Sequence, residues 1–174
     1  MNLERALKID GWMEPHDLEW LAEKAMSHVR IVEIGCWMGR STRVLADNTL
    51  GIVVAVDHWN GSEEHQSMFV NNSLDWVWNI FEKNLSDHIS RGKVFPMRMD
   101  SRQAAYHFAA TQTRFDMVFI DASHDYDSFK QDVELWRPLC DGLLCGHDGG
   151  HGPIMKALAE IVPNYHHEHS MWVA

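Results

Sequence analysis

The chain has 174 residues, 45% of them hydrophobic and 23% charged, and 15 Lys+Arg against 25 Asp+Glu give a formal net charge of −10. That is the length of a single domain, expected over 1–174, with enough apolar content to bury a proper core. The acidic balance argues against nucleic acid, the absence of a long apolar run argues against a membrane span, and three cysteines without a CxxC pair argue against a disulfide framework.

The predicted elements alternate along the chain. Pro15 opens a helix over 15–28, with Leu18, Leu21 and Met26 on its apolar side. A short strand over 30–34 (RIVEI) ends at Gly35, and a helix follows over 39–48. The β-branched run IVVAVD after Gly51 suits a strand covered on both faces. A long helix is predicted over 63–87, where Leu74, Val77, Trp78, Phe81 and Leu85 make one stripe. A strand over 93–99, a helix over 101–110, and the strand FDMVFID over 115–121 come next. A helix over 126–139, stopped by Pro138, leads to a strand over 142–146 and a helix over 153–162. The tail NYHHEHSMWVA alternates enough for one or two short strands. This order builds an α/β fold, a Rossmann-like and mostly parallel sheet with helices on both faces. In such a sheet ligands bind at the carboxyl ends of the strands.

Three aspartates, Asp57, Asp100 and Asp121, close predicted strands at that edge. A carboxylate there costs desolvation unless it is paired or binds something. The first turn, Glu33-Ile-Gly35-Cys-Trp-Met-Gly39-Arg-Ser41, is not the dinucleotide fingerprint, because Trp37 stands where the middle glycine would admit a pyrophosphate. The helix start at Ser41 can point donors at a carboxylate. Asp57 follows at about the 20-residue spacing of an acid that binds ribose hydroxyls. A nucleoside with an amino-acid tail, S-adenosylmethionine, fits both observations. Asp57 alternatively serves as a loop or capping carboxylate, and Asp121 as an N-cap for the helix after it.

The segments VEIGCWMGRST, VVAVDHWNGS, MDSRQAA, FDMVFIDASHDYDSFKQDVELW and GLLCGHD together resemble class I S-adenosylmethionine-dependent methyltransferases. The resemblance is to the small O-methyltransferase-like group with macrolide-sugar, cephalosporin-tailoring and catechol-type members. It runs from about residue 30 to 148 and more loosely to Trp172. It implies that Glu33, Gly35 and Gly39 line the methionine end of the cofactor with Ser41 nearby. Asp57 would hold the ribose, His58 and Trp59 flank the adenosine, and Asp100 and Ser101 sit at the adenine. Asp121 would lie beneath the sulfonium, where metal-dependent relatives use the matching Asp as a ligand. His147 and Asp148 stand where those relatives carry two further ligands. A His for a carboxylate departs from the pattern and favours a softer divalent ion such as Mn²⁺ over Mg²⁺, or no metal.

Methyl transfer from a sulfonium needs alignment and a deprotonated acceptor. His124, three residues past Asp121, is the expected base or acceptor contact, with local hydrogen bonding at a helix start as the plainer role. A cation at Asp121 and Asp148 is the other way to activate a hydroxyl. The expected function is O-methylation of a small-molecule acceptor in the cytoplasm, by a chain acting alone, as a homodimer or with a partner subunit. The alternatives are a non-catalytic or partner-dependent cofactor-binding subunit and a metal-dependent tailoring enzyme of the cephalosporin type. His166, His167 and His169 are expected on a solvated surface, Cys140 and Cys145 around a buried strand, and the eight tryptophans and twelve histidines partly around an aromatic cleft.

Overall fold

In the computed structural model, residues 1–61 and 75–174 are described. Strands β1 (Arg30–Ile34), β2 (Ile52–Asp57), β3 (Val94–Arg98), β4 (Phe115–Ile120), β5 (Cys140–Gly146), β6 (His166–Glu168) and β7 (Met171–Val173) form one sheet in the order β3-β2-β1-β4-β5-β7-β6. The first five are parallel, β7 runs antiparallel to β5, and β6 pairs antiparallel with β7. The chain reverses its direction of travel across the sheet between β1 and β4. That reversal opens a crevice at their carboxyl ends.

The helices are α1 (Pro15–Ala25), α2 (Arg40–Asn48), α3 (Trp76–Ser90), α4 (Ser101–Ala110), α5 (Tyr126–Trp136) and α6 (Gly152–Ile161). The two-residue period of the strands divides the core between the sheet's faces. Ile31, Met117 and Phe119 pack with Leu18, Leu21, Leu45, Phe81 and Leu85 from α1, α2 and α3. Their neighbours Val32, Val118 and Ile120 pack with Phe108, Phe129, Val133 and Leu158 from α4, α5 and α6. Burial on both faces is why β1, β2 and β4 read as continuous apolar runs.

The boundaries differ from expectation in a few places. A 3-10 turn at Ala6–Lys8 precedes α1 and buries Ala6. Helix α1 ends at Ala25, and α5 gives way to a 3-10 turn at Arg137–Leu139, because Pro138 has no N–H to continue the α-helical ladder. Strand β5 begins at Cys140 because Cys140 pairs with Phe115, a tertiary contact with no local signal. Helix α3 extends to Ser90, while the first part of the predicted 63–87 helix, with Leu74, lies outside the described residues. The tail forms both short strands, and His166, His167 and His169 are exposed as expected. Cys145 is fully buried. Among the described residues no helix is long and apolar enough to cross a membrane.

Candidate active site

A cavity of about 910 Å³ opens at the carboxyl edge of the sheet, lined by the turns after β1, β2, β4 and β5 and by the segment before α1. Of the sequence-predicted residues, Gly35, Ser41, Asp57, His58, Asp100, Ser101, Asp121, His124, His147 and Asp148 line it. Glu33, Gly39 and Trp59 do not.

The turn after β1 has two glycines at positive φ, for different reasons. At Gly35 (φ +84°) a Cβ would lie 2.1 Å from the backbone oxygen of Asp121, so only glycine lets β1 and β4 end side by side. At Gly39 (φ +89°) a Cβ would meet Leu85 of α3 at 2.3 Å. Gly39 therefore packs beneath α3 rather than facing the cavity. It caps α2 with no side-chain hydrogen bond, so the helix start carries no competing acceptor.

Asp57 braces this turn. Its Oδ2 accepts from the backbone N–H of Cys36 at 2.8 Å and of Trp37 at 3.0 Å, and its Oδ1 from that of Trp59 at 2.6 Å. Trp37 and Trp59 both sit in the left-handed region, at φ +46° and +54°. The indole of Trp59 is buried against Trp78 and Phe81, and its Nε1 donates to the Trp37 carbonyl at 2.8 Å. Trp59 is thus a structural wedge behind the turn. Trp37 lines the cavity beside Trp12, with ring centroids 5.2 Å apart. Trp136 and Trp172 belong instead to the core.

Glu33 lies under the turn, wholly buried. Thr42 Oγ1 donates to its Oε2 at 2.5 Å, while Oε1 has no partner. Burial pushes its carboxyl up to about 7. At the opposite end, Asp100 caps α4 by accepting from Arg102 N and also pairs with the Arg102 guanidinium. Ser101 Oγ donates to Asp132 at 2.6 Å and accepts from Trp136 Nε1 at 2.8 Å, so Ser101's hydroxyl is already engaged. Asp132, a cavity residue that sequence reasoning missed, is held up at about 6 by burial.

Between β4 and β5 the acidic and imidazole groups converge. Asp148, at φ +56°, places Oδ2 2.8 Å from His124 Nε2 and 3.1 Å from His147 Nδ1. Ligand atoms of Asp121, His124 and Asp148 all lie within 4.8 Å of one another. Burial raises the Asp121 carboxyl above its usual range, and Asp121 caps no helix, because Asp125 is the N-cap of α5. His147 lies behind this trio rather than in it. Its Nδ1 is 3.7 Å from Asp121 and its Nε2 is 3.5 Å from Asp17 of α1, a carboxylate only 1% exposed. Burial opposes its charge, yet Asp148, Asp121 and Asp17 together raise His147 to about 9. His147 is the cation that lets three carboxylates approach. Sequence reasoning missed Asp17 because an acid near the start of a helix looks like an ordinary response to the helix dipole.

A methyltransferase-domain profile matches residues 32–149, more than half of the chain. The chain belongs to the methyltransferase-domain family. The mostly parallel sheet and its short antiparallel C-terminal strands are those expected from the sequence. An O-methyltransferase from Bacillus cereus, solved with S-adenosylhomocysteine, superposes with a TM-score of 0.67 at 18% identity, over 92% of this chain and 76% of that one. The O-methyltransferase TomG from Streptomyces achromogenes, solved with S-adenosylmethionine, does so with a TM-score of 0.64 at 16% identity, over 86% of this methyltransferase and 67% of that chain. At these identities the likeness is one of fold.

Proposed function

We propose that this methyltransferase transfers the methyl group of S-adenosylmethionine to a hydroxyl of a small-molecule acceptor, with His124 as general base. The observation that carries the reading is the His124–Asp148 contact of 2.8 Å, set beside Asp121 in the same cavity as the turn after β1. The chain fits the cofactor on its own terms. Helix α2 opens at the cavity wall with no side-chain cap on its N–H groups. When bound, the cofactor supplies an electrophilic methyl on a sulfonium.

The residues supply alignment and proton transfer. The α2 start and Ser41 face the amino-acid end. Asp57, with three backbone donors on its carboxylate, has one Oδ1 lone pair left for a ribose hydroxyl. His58 flanks the nucleoside, and Asp100 with the Ser101 backbone borders the adenine. Asp148 lies 2.8 Å from Nε2 of His124 and orients the imidazole that would take the acceptor's proton. The His147 cation stabilises the ionised Asp148 in that task.

A second reading rests on the trio Asp121, His124 and Asp148. Two carboxylates and one imidazole would hold a divalent cation of the Mn²⁺ or Mg²⁺ kind, which lowers the pKa of a coordinated hydroxyl. The donor set differs from the sequence expectation in having His124 where His147 was expected.

The test is calorimetric titration of S-adenosylhomocysteine with EDTA and then with added Mn²⁺, followed by turnover of a hydroxyl-acceptor panel by wild type and His124→Ala. Cofactor binding in EDTA, with a rate lowered about 10²- to 10⁴-fold in the variant, supports the base. Heat and activity that appear only with Mn²⁺ favour the cation. Binding without turnover of any acceptor favours a partner-dependent subunit.

A further inference from the structure

We infer that Arg40 is the anchor for the cofactor's carboxylate and that it ties the segment before α1 to the occupied site, an inference that rests on the cofactor reading above. Among the described residues, two of the charged side chains lining the cavity are arginines, amid a majority of aspartates. Arg102 is committed to Asp100, at 3.0 Å from Nε and 3.3 Å from a terminal nitrogen. Arg40 is different. Among the described residues it pairs with no carboxylate, and its one donating nitrogen reaches the carbonyls of Ile9 and Gly11, each at 3.2 Å. Its Nε–H is buried without an acceptor.

A guanidinium is a rigid fork of five donors suited to a carboxylate. Neutral carbonyls compensate its charge poorly, and a buried charged donor without an acceptor is a standing cost. A ligand carboxylate entering this cavity therefore meets one cation whose charge no carboxylate among the described residues has answered. The position agrees with that role, because Arg40 is the first residue of α2 and is followed by Ser41, both on the cavity wall. The coupling follows from packing. A Cβ on Gly11 would lie 3.0 Å from Arg40 Cδ, so the strand of chain carrying Trp12 and Met13 along the cavity rests directly on the arginine stem. Whatever fixes the guanidinium also fixes that wall.

The experiment is a ligand-by-variant cycle read by calorimetry. Wild type, Arg40→Gln and Arg40→Lys are each titrated with S-adenosylhomocysteine and with its decarboxylated analogue, which keeps nucleoside, thioether and amine. Wild type should bind the analogue about tenfold to a hundredfold more weakly, as expected for a charge-assisted hydrogen bond. Arg40→Gln should lose about that factor for S-adenosylhomocysteine and under threefold for the analogue, while Arg40→Lys keeps part of the preference. Cleavage by trypsin after Arg5 or Lys8 should slow when S-adenosylhomocysteine is added to wild type and not to Arg40→Gln. Equal affinity of wild type for the two ligands overturns the proposal without reference to any variant. Equal weakening of both ligands in Arg40→Gln also overturns it and reduces Arg40 to a structural clasp. A wild-type chain that binds neither nucleoside overturns the cofactor reading itself, and this inference with it.

Discussion

Replacing Asp57 with alanine should unfold the site before it weakens the ligand. The carboxylate accepts three backbone N–H groups, from Cys36, Trp37 and Trp59 at 2.8, 3.0 and 2.6 Å. Two of those residues are tryptophans in left-handed backbone, which costs about 1 kcal/mol or more each unless the surroundings hold them there. A hydrogen bond to a charged acceptor contributes about 1.5–3 kcal/mol. The three share one carboxylate, and water from the cavity can replace part of what is lost. The expected destabilisation is therefore about 3 kcal/mol rather than the full sum. For a chain of this size that lowers Tm by about 6–12 °C. Urea unfolding of wild type, Asp57→Asn and Asp57→Ala gives the midpoint and slope, and titration with S-adenosylhomocysteine on the folded variants gives affinity. Asp57→Asn keeps one acceptor oxygen and should fall between the other two. An Asp57→Ala chain with the wild-type midpoint and a weakened ligand would refute the bracing role and return Asp57 to ribose binding alone.

Other outcomes follow from the same site. Burial holds Glu33 at about 7 in the folded chain against an ordinary value of 4.5, so the folded state keeps its proton longer than the unfolded one. Its contribution to stability is therefore full below the lower value and declines as pH rises through the upper one, with a slope of at most about 1.4 kcal/mol per pH unit. Glu33→Gln should flatten that decline and be the more stable protein above neutrality. Parallel pH-dependent denaturation curves would remove Glu33 from the account. Gly35→Ala, which drives a Cβ into the Asp121 carbonyl, should lose at least about 2 kcal/mol, whereas Gly39→Ala meets the end of a Leu85 side chain that can move and should lose less. Equal melting temperatures for the two variants would contradict the distinction.

The alternation of elements, the parallel sheet and the edge that bears the site were legible because each depends on local pattern. A strand buried on both faces must be apolar throughout, as IVVAV is in β2, and a helix against the sheet must repeat near every third or fourth residue, as Val77, Phe81 and Leu85 do. Asp57, Asp100 and Asp121 could be placed at the cavity for the same reason, because the end of a strand is a position in the chain. Their partners were not legible. That Asp57 holds the N–H groups of another turn, that His147 reaches Asp17 on α1, and that His124 rather than His147 joins Asp121 and Asp148 depend on how separate elements pack. So does the grip of Arg40 on Ile9 and Gly11. Side-chain direction across a packed interface is set by the crossing of two elements, and neither element's own sequence encodes that crossing. The sequence by itself determined the fold and the edge where ligands bind. The tertiary structure decided which charges meet there, because only packing brings together groups that are distant along the chain.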